Sequence, residues 1–270
     1  MSFSATGLLL ASLLYLIVLF GIAWGTERGT LLRRWVRHPL IYTLSLGVYA
    51  GIWAVYGAIG MAADSGYGFL AYYLGISGAF LLAPVLLNPI LRIGRAYQLT
   101  SLADLFAYRY RSQWAGTLVT LYSAAAILAL LSMQIQAVSV SASLLAPDAP
   151  PKVISVMFSL IVVLFTMLFG ARRHQASGNH QGLVLAIAFD SLVKVVALLV
   201  LGGVILFSVF GGTNGLEAWL AETSHPEATM TMAINDGSWR ALLLMSFAAA
   251  LVLPHMSHMT FSENPSPRAL

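Results

Sequence analysis

Apolar residues in this chain come in long runs, with short polar stretches between them. Seven runs meet or approach the roughly 20 residues a membrane-spanning helix needs: 5–24, 40–62, 67–91, 114–145, 152–170, 181–210 and 239–261. None alternates with the two-residue period of a barrel strand, and lipid offers no partner to an open backbone, so all seven are predicted as helices. Two of the intervening stretches carry structure of their own. In LTSLADLFAYRYRS, Ser101 followed by Asp104 has the pattern of a capping box, and Leu102, Leu105 and Phe106 share one face, which predicts a short helix lying on the membrane. The stretch 211–238 opens with the turn-forming GGTNG, and LEAWLAE within it predicts one or two turns of helix.

Composition sharpens this to an all-α integral membrane protein. Hydrophobic residues make up 59% and charged residues 9% of the 270, against about 25% charged in soluble domains, and the mean hydropathy is +0.83. The absence of cysteine excludes disulfides and thiolate chemistry. A net charge of +4 would suggest nucleic acid in a soluble protein. Here it follows from basic loops on one side of a bilayer, and no nucleic-acid partner is expected.

Those loops set the expected orientation. Arg28, Arg33, Arg34 and Arg37 fall in one, Arg92, Arg95, Arg109 and Arg111 in the next, then Arg172 and Arg173, and Arg268 in the tail. The loops between hold Asp64, then Asp148 with Lys152, then Glu217, Glu222, Glu227 and Asp236. The alternation places the N-terminus outside and the C-terminus in the cytoplasm. Trp24, Trp35, Trp114 and Trp239 fall near the predicted interfaces. MSFSATG has no basic region and no cleavage motif follows the first run, so that run is read as a retained helix. The chain ends at FSENPSPRAL, just past an inward-going span, and reads as a fragment of a larger protein.

Chemistry is concentrated in a few places. The second run holds Gly47 and Gly51 four apart, with Tyr49, Trp53 and Tyr56 where leucine would be cheaper. Small residues at that spacing serve close helix packing. They equally suit a helix that unwinds at its glycines and exposes carbonyls to a cation. Asp190 and Lys194 lie on one face about 15 Å into their span. They read either as a self-neutralising pair or as a functional intramembrane charge. Ser132, Gln136, Ser139 and Ser143 form a polar stripe on the fourth run, open to interhelical bonding or to a wet pathway. Arg172, Arg173, His174 and His180 gather in a loop without the carboxylates or thiolates of a metal site. In LVLPHMSHMTF, Pro254 removes a helical hydrogen bond while His255 and His258 stand three apart, as an interfacial kink or as a broken helix bordering a cavity.

Three of these stretches, in this order, resemble the sodium:solute symporter family. SLADLFAYRY (101–110) is similar to its loop after the third helix, FDSLVK to its Thr-Asp-x-x-Gln stretch, and LPHM (253–256) to its Gln-Pro-His stretch. The resemblance implies the N-terminal half of a LeuT-type five-plus-five inverted repeat. It makes 5–24 an extra leading helix, 40–210 the first five-helix repeat and 239–261 the first helix of the second. It implies an ion site at Val48, Gly51 and Asp190, and a substrate site at Tyr49, Trp53, Phe247, Pro254 and His255. Departures are visible: no acid lies in 40–62, Leu253 replaces the glutamine before Pro-His, and Ala250 stands where an aromatic gate is common. In these the chain looks most like the symporter-like membrane domain of CbrA-type sensor histidine kinases.

The functions that follow are two. One is secondary transport of a small organic solute, an amino acid such as histidine, coupled to sodium or protons, in a bacterial inner membrane; no cofactor other than a possible Na+ is expected. The other is a solute-sensing input domain, with membrane lipid around it and signalling modules after it in a longer chain; any kinase activity would lie beyond residue 270. A seven-helix retinal protein is disfavoured, since the last run offers only Arg240 where such a protein needs a lysine.

Overall fold

A computed structural model describes residues 4–29, 38–147, 150–167, 181–222 and 236–264, and every regular element among them is helical. Three helices are long and apolar enough to cross a membrane: α1 (Ala5–Glu27), α7 (Gln113–Leu145) and α9 (Gln181–Val204), the last extended by a π turn to Val209. Two bent pairs raise the number to five if each counts as one span. The first joins α2 (Pro39–Ser45) and its 3₁₀ turn Leu46–Tyr49, at 60°, to Ala54–Leu81, which takes in α3 (Ile52–Ser65) and α4 (Leu70–Leu81). The second joins α11 (Asp236–Val252) to α12 (Pro254–Ser257) and its π turn His258–Ser262, at 51°. Leu14, Tyr122, Leu199 and Phe207 are all more than half exposed. Such apolar outer faces are suited to lipid and would drive association in water.

Two predicted spans take a different form. The run 67–91 splits into α4 (Leu70–Leu81) and α5 (Leu87–Ala96), because Pro84 has no N–H to carry the helix through 82–86. The run 152–170 forms α8 (Pro151–Phe165), 15 residues long, and 168–170 lie outside the described residues. Between α3 and α4 the chain turns at Gly66, whose φ of 52° is open to glycine at little cost. It then doubles back: Tyr73 OH donates to the Ala54 carbonyl at 3.0 Å, whereas a straight helix would part these residues by about 28 Å.

The shorter helices follow their sequence signals. Ser101 caps α6 (Leu102–Tyr110) by accepting from the Asp104 N–H at 3.1 Å, and Asp104 Oδ2 accepts in return from the Ser101 N–H at 3.0 Å. Thr100 adds two more bonds to the same oxygen, from its N–H and its hydroxyl. Burial alone would raise the Asp104 carboxyl, but the bonds from Ser101 and Thr100 outweigh it and hold the group below its ordinary range. LEAWLAE lies in α10 (Thr213–Glu222).

Packing brings the two bent pairs together. α4 lies along α11, and at Gly75 the backbone of Leu243 and the Ser246 side chain leave no room for a Cβ. α9 packs against both α1 and α2, and a Cβ on Gly47 would meet Ser191 Oγ. Tyr42, Leu87, Leu91, Met256 and Thr260 are fully buried, so the tightest core joins α2 and α5 to the inner part of the second bent pair.

Candidate functional site

The first break is made by what the backbone cannot do at Ala50 and Gly51. The 3₁₀ turn ends with the Ala50 N–H on the Gly47 carbonyl and the Gly51 N–H on the Tyr49 carbonyl, and Gly51 then adopts extended geometry, φ −77° and ψ −175°. In a continuous helix the Ile52 N–H would bond the Val48 carbonyl. Instead it donates to Gln134 Oε1 of α7 at 3.1 Å. A side chain at Gly51 would collide with the amide nitrogen of that same glutamine. A residue 82 positions away thus caps the restart of the helix.

The second break is local. Leu253 is extended, φ −64° and ψ 125°, as a residue before proline prefers to be, and Pro254 restarts the helix where its missing N–H costs nothing. The Ser257 N–H returns to the Leu253 carbonyl at 2.8 Å.

The two breaks meet. The 3₁₀ turn of the first packs against α12 of the second, and beside them lies a cavity of about 450 Å³. Val48, Tyr49, Gly51 and His255 line it, which brings together four of the residues marked in the sequence. Tyr49 stacks on Tyr72 of α4, rings 5.3 Å apart and 19° from parallel, and Tyr73 meets Tyr72 edge-on at 5.0 Å. Tyr72, Gln134 and Ser246 are cavity residues that the sequence reading missed.

Other marked residues lie elsewhere. Phe247 sits against Gly78 of α4, its ring carbon 3.8 Å from where a Cβ would stand, and is not part of the cavity wall. Trp53 falls in the first turn of α3, but its side chain lies outside the described residues. Asp190 pairs with Lys194 at 2.6 Å and accepts from Tyr15 OH of α1 at 2.6 Å. The leading helix is therefore bolted to α9 through the charged pair. Next to Asp190, Ser191 Oγ is buried against Gly47 with no hydrogen-bond partner among the described residues.

Three members of the polar stripe are held by hydrogen bonds to carbonyls. Ser132 and Ser143 return to carbonyls of their own helix, and Ser139 donates across to the Pro151 carbonyl of α8 at 2.8 Å. Gln136 is exposed. Arg172, Arg173, His174 and His180 lie outside the described residues. Among the described residues no three His, Cys, Asp or Glu side chains gather as metal ligands would.

On the other side of α12 is a second cavity, about 460 Å³, lined by Thr100, Thr120, Ser123, Pro254, Ser257 and His258 among others. Pro254 belongs to this one, so the two histidines divide between the cavities, His255 to the first and His258 to the second. Below it the chain is pinned. Asn264 Nδ2 donates to Tyr42 OH at 2.9 Å, and Arg95 Nη2 donates to the Asn264 carbonyl at 2.6 Å and to its Oδ1 at 3.2 Å. His258 lies 3.4 Å from buried Glu263. No family model, curated protein or solved structure matches the chain.

Proposed function

We propose that the chain is a transporter-like membrane domain that binds a small organic solute, an amino acid, in the cavity between its two broken helices. The observation that carries this reading is the convergence of the breaks. Two helices interrupted by different means, Gly51 and Pro254, touch at their interruptions and border one cavity. Irregular backbone at membrane depth is tolerated where it lines a cavity or is covered by protein, and it is there that discontinuous helices hold solutes and ions. An aromatic wall with a few convergent polar groups suits a small organic molecule.

In this reading the chain crosses the membrane seven times with its N-terminus outside, as the first half of an inverted-repeat transporter of the sodium:solute symporter type. Sodium or a proton is the coupling ion. The Val48 carbonyl, relieved of the Ile52 N–H, is the backbone ligand nearest the break, and Asp190 is joined to that region through Ser191 on Gly47. The sensing alternative draws on the inner network. Residues after the second break are tied by Asn264 to Tyr42 and Arg95, a route by which occupancy of the cavity would bias whatever the chain carries next.

Uptake of radiolabelled amino acids by cells expressing the protein, with and without a sodium gradient, tests the proposal. Gradient-dependent uptake that falls about tenfold or more in Tyr49→Ala and in Asp190→Asn supports it. Binding without accumulation under any gradient favours the sensor, and neither binding nor uptake for any amino acid sinks both readings.

A further inference from the structure

Gln134 presents two ends, and only one is accounted for. A backbone N–H can only donate, so the atom facing Ile52 is the carbonyl oxygen, and the Nε2 amide lies against the bare backbone of Gly51, itself a cavity residue. Gln134 lines the cavity, and its Nε2 donates no bond to any described residue. The capping bond also fixes the side chain: the amide is held in one orientation before any ligand arrives, which lowers the ordering cost of using it.

The lining has a second property. Among the described residues around the cavity there is no Asp, Glu, Lys or Arg, and the one histidine is His255. A solute with net charge would be stripped of water there with no compensating partner, which is costly.

We infer, resting on the reading that this cavity holds a solute, that Gln134 Nε2 donates to a carboxylate or carbonyl oxygen of the bound molecule. The molecule carries no net charge, its opposite charges balanced within itself as in a neutral amino acid. Tyr49 and Tyr72 form the flat wall beside it, and the cap on Ile52 aims the amide. Gln134 is then a recognition residue as well as a cap.

The test separates those roles. Gln134→Glu keeps the length and the oxygen that caps Ile52 but replaces the donor with an acceptor. Gln134→Leu removes both, and Gln136→Leu changes an exposed neighbour outside the cavity. Each full-length variant in lipid nanodiscs is screened at pH 8 for binding of the twenty amino acids, beside its melting temperature without ligand. The expected result is that wild type and Gln136→Leu bind a neutral amino acid alike. Gln134→Glu, which keeps the cap, melts later than Gln134→Leu and binds at least about tenfold more weakly than wild type, as loss of a hydrogen bond to a charged group predicts. Gln134→Leu binds as weakly as Gln134→Glu and also melts earlier. Equal affinity in wild type and Gln134→Glu overturns the assignment and leaves the solute cavity standing. Absence of binding to wild type overturns both.

Discussion

The two breaks reach the same end by opposite routes. At Pro254 the interruption is written into adjacent residues: proline sets its neighbour's backbone and needs no partner for an N–H it lacks. At Gly51 nothing local suffices. The freed Ile52 N–H is satisfied by a side chain from α7, and the glycine is needed because that side chain lies against it. One break is a property of a tripeptide and the other a property of the assembled helices. The break at Gly51 should therefore be far more sensitive to its surroundings than the break at Pro254.

The largest expected effect breaks the comparison at its dependent side. Gly51→Val drives a branched side chain into the Gln134 amide and unseats the cap; overpacking of this kind costs about 1–3 kcal/mol. Binding in the cavity should be lost, with a lower melting temperature in detergent. Pro254→Ala tests the autonomous side. It restores an N–H and removes the restriction on Leu253, so the helix has the means to heal; the protein should melt no earlier, and any loss should appear in solute binding alone. Should both variants lose stability equally, the distinction between a local and an assembled break fails.

Tyr42→Phe comes next. It removes the hydroxyl that accepts from Asn264 and leaves a buried amide unsatisfied, a cost of about 1–3 kcal/mol. It should show as earlier melting without a change in the affinity of the first cavity. The smallest effect concerns a cap exposed to water. The Asp104 carboxyl is held below its ordinary value, so its contribution to stability is present above about pH 4, the unfolded value, and is lost as pH falls through the folded one. Proteolysis around α6 should rise below that pH in wild type and be pH-independent in Asp104→Asn. The contrast with Gln134 is one of surroundings: a surface cap has water as its substitute, and a cap at a break inside the protein does not.

This difference also decides what was legible in the sequence. The long apolar runs of α1, α7 and α9, the capping box at Ser101 and the kink at Pro254 each depend on neighbours in the chain, and each could be read from them. Gln134 could not. The stripe on α7 pointed to Gln136, two residues on and roughly half a turn away, because a helical stripe tells which residues share a face and not which face meets a break in another helix. The link from Tyr42 to Asn264 spans 222 positions and has no local signal. Phe247 was expected at the site on the strength of a resemblance, and the close approach of Gly75 and Gly78 turns its ring toward α4. The turn at Gly66 was placed between two predicted spans, but nothing in the residues said that Tyr73 would return as far as Ala54.

The four residues of α12 are the wall that two rooms share. His255 within it lines the first cavity, and Pro254, Ser257 and the following His258 line the second, so the partition is one turn of backbone, about 5 Å. A wall that thin cannot be altered on one side alone: a substitution that enlarges the first cavity reshapes the second. Any variation that retunes what the chain holds must also retune what lies beneath it, and selection at Pro254–Ser257 acts on both cavities at once.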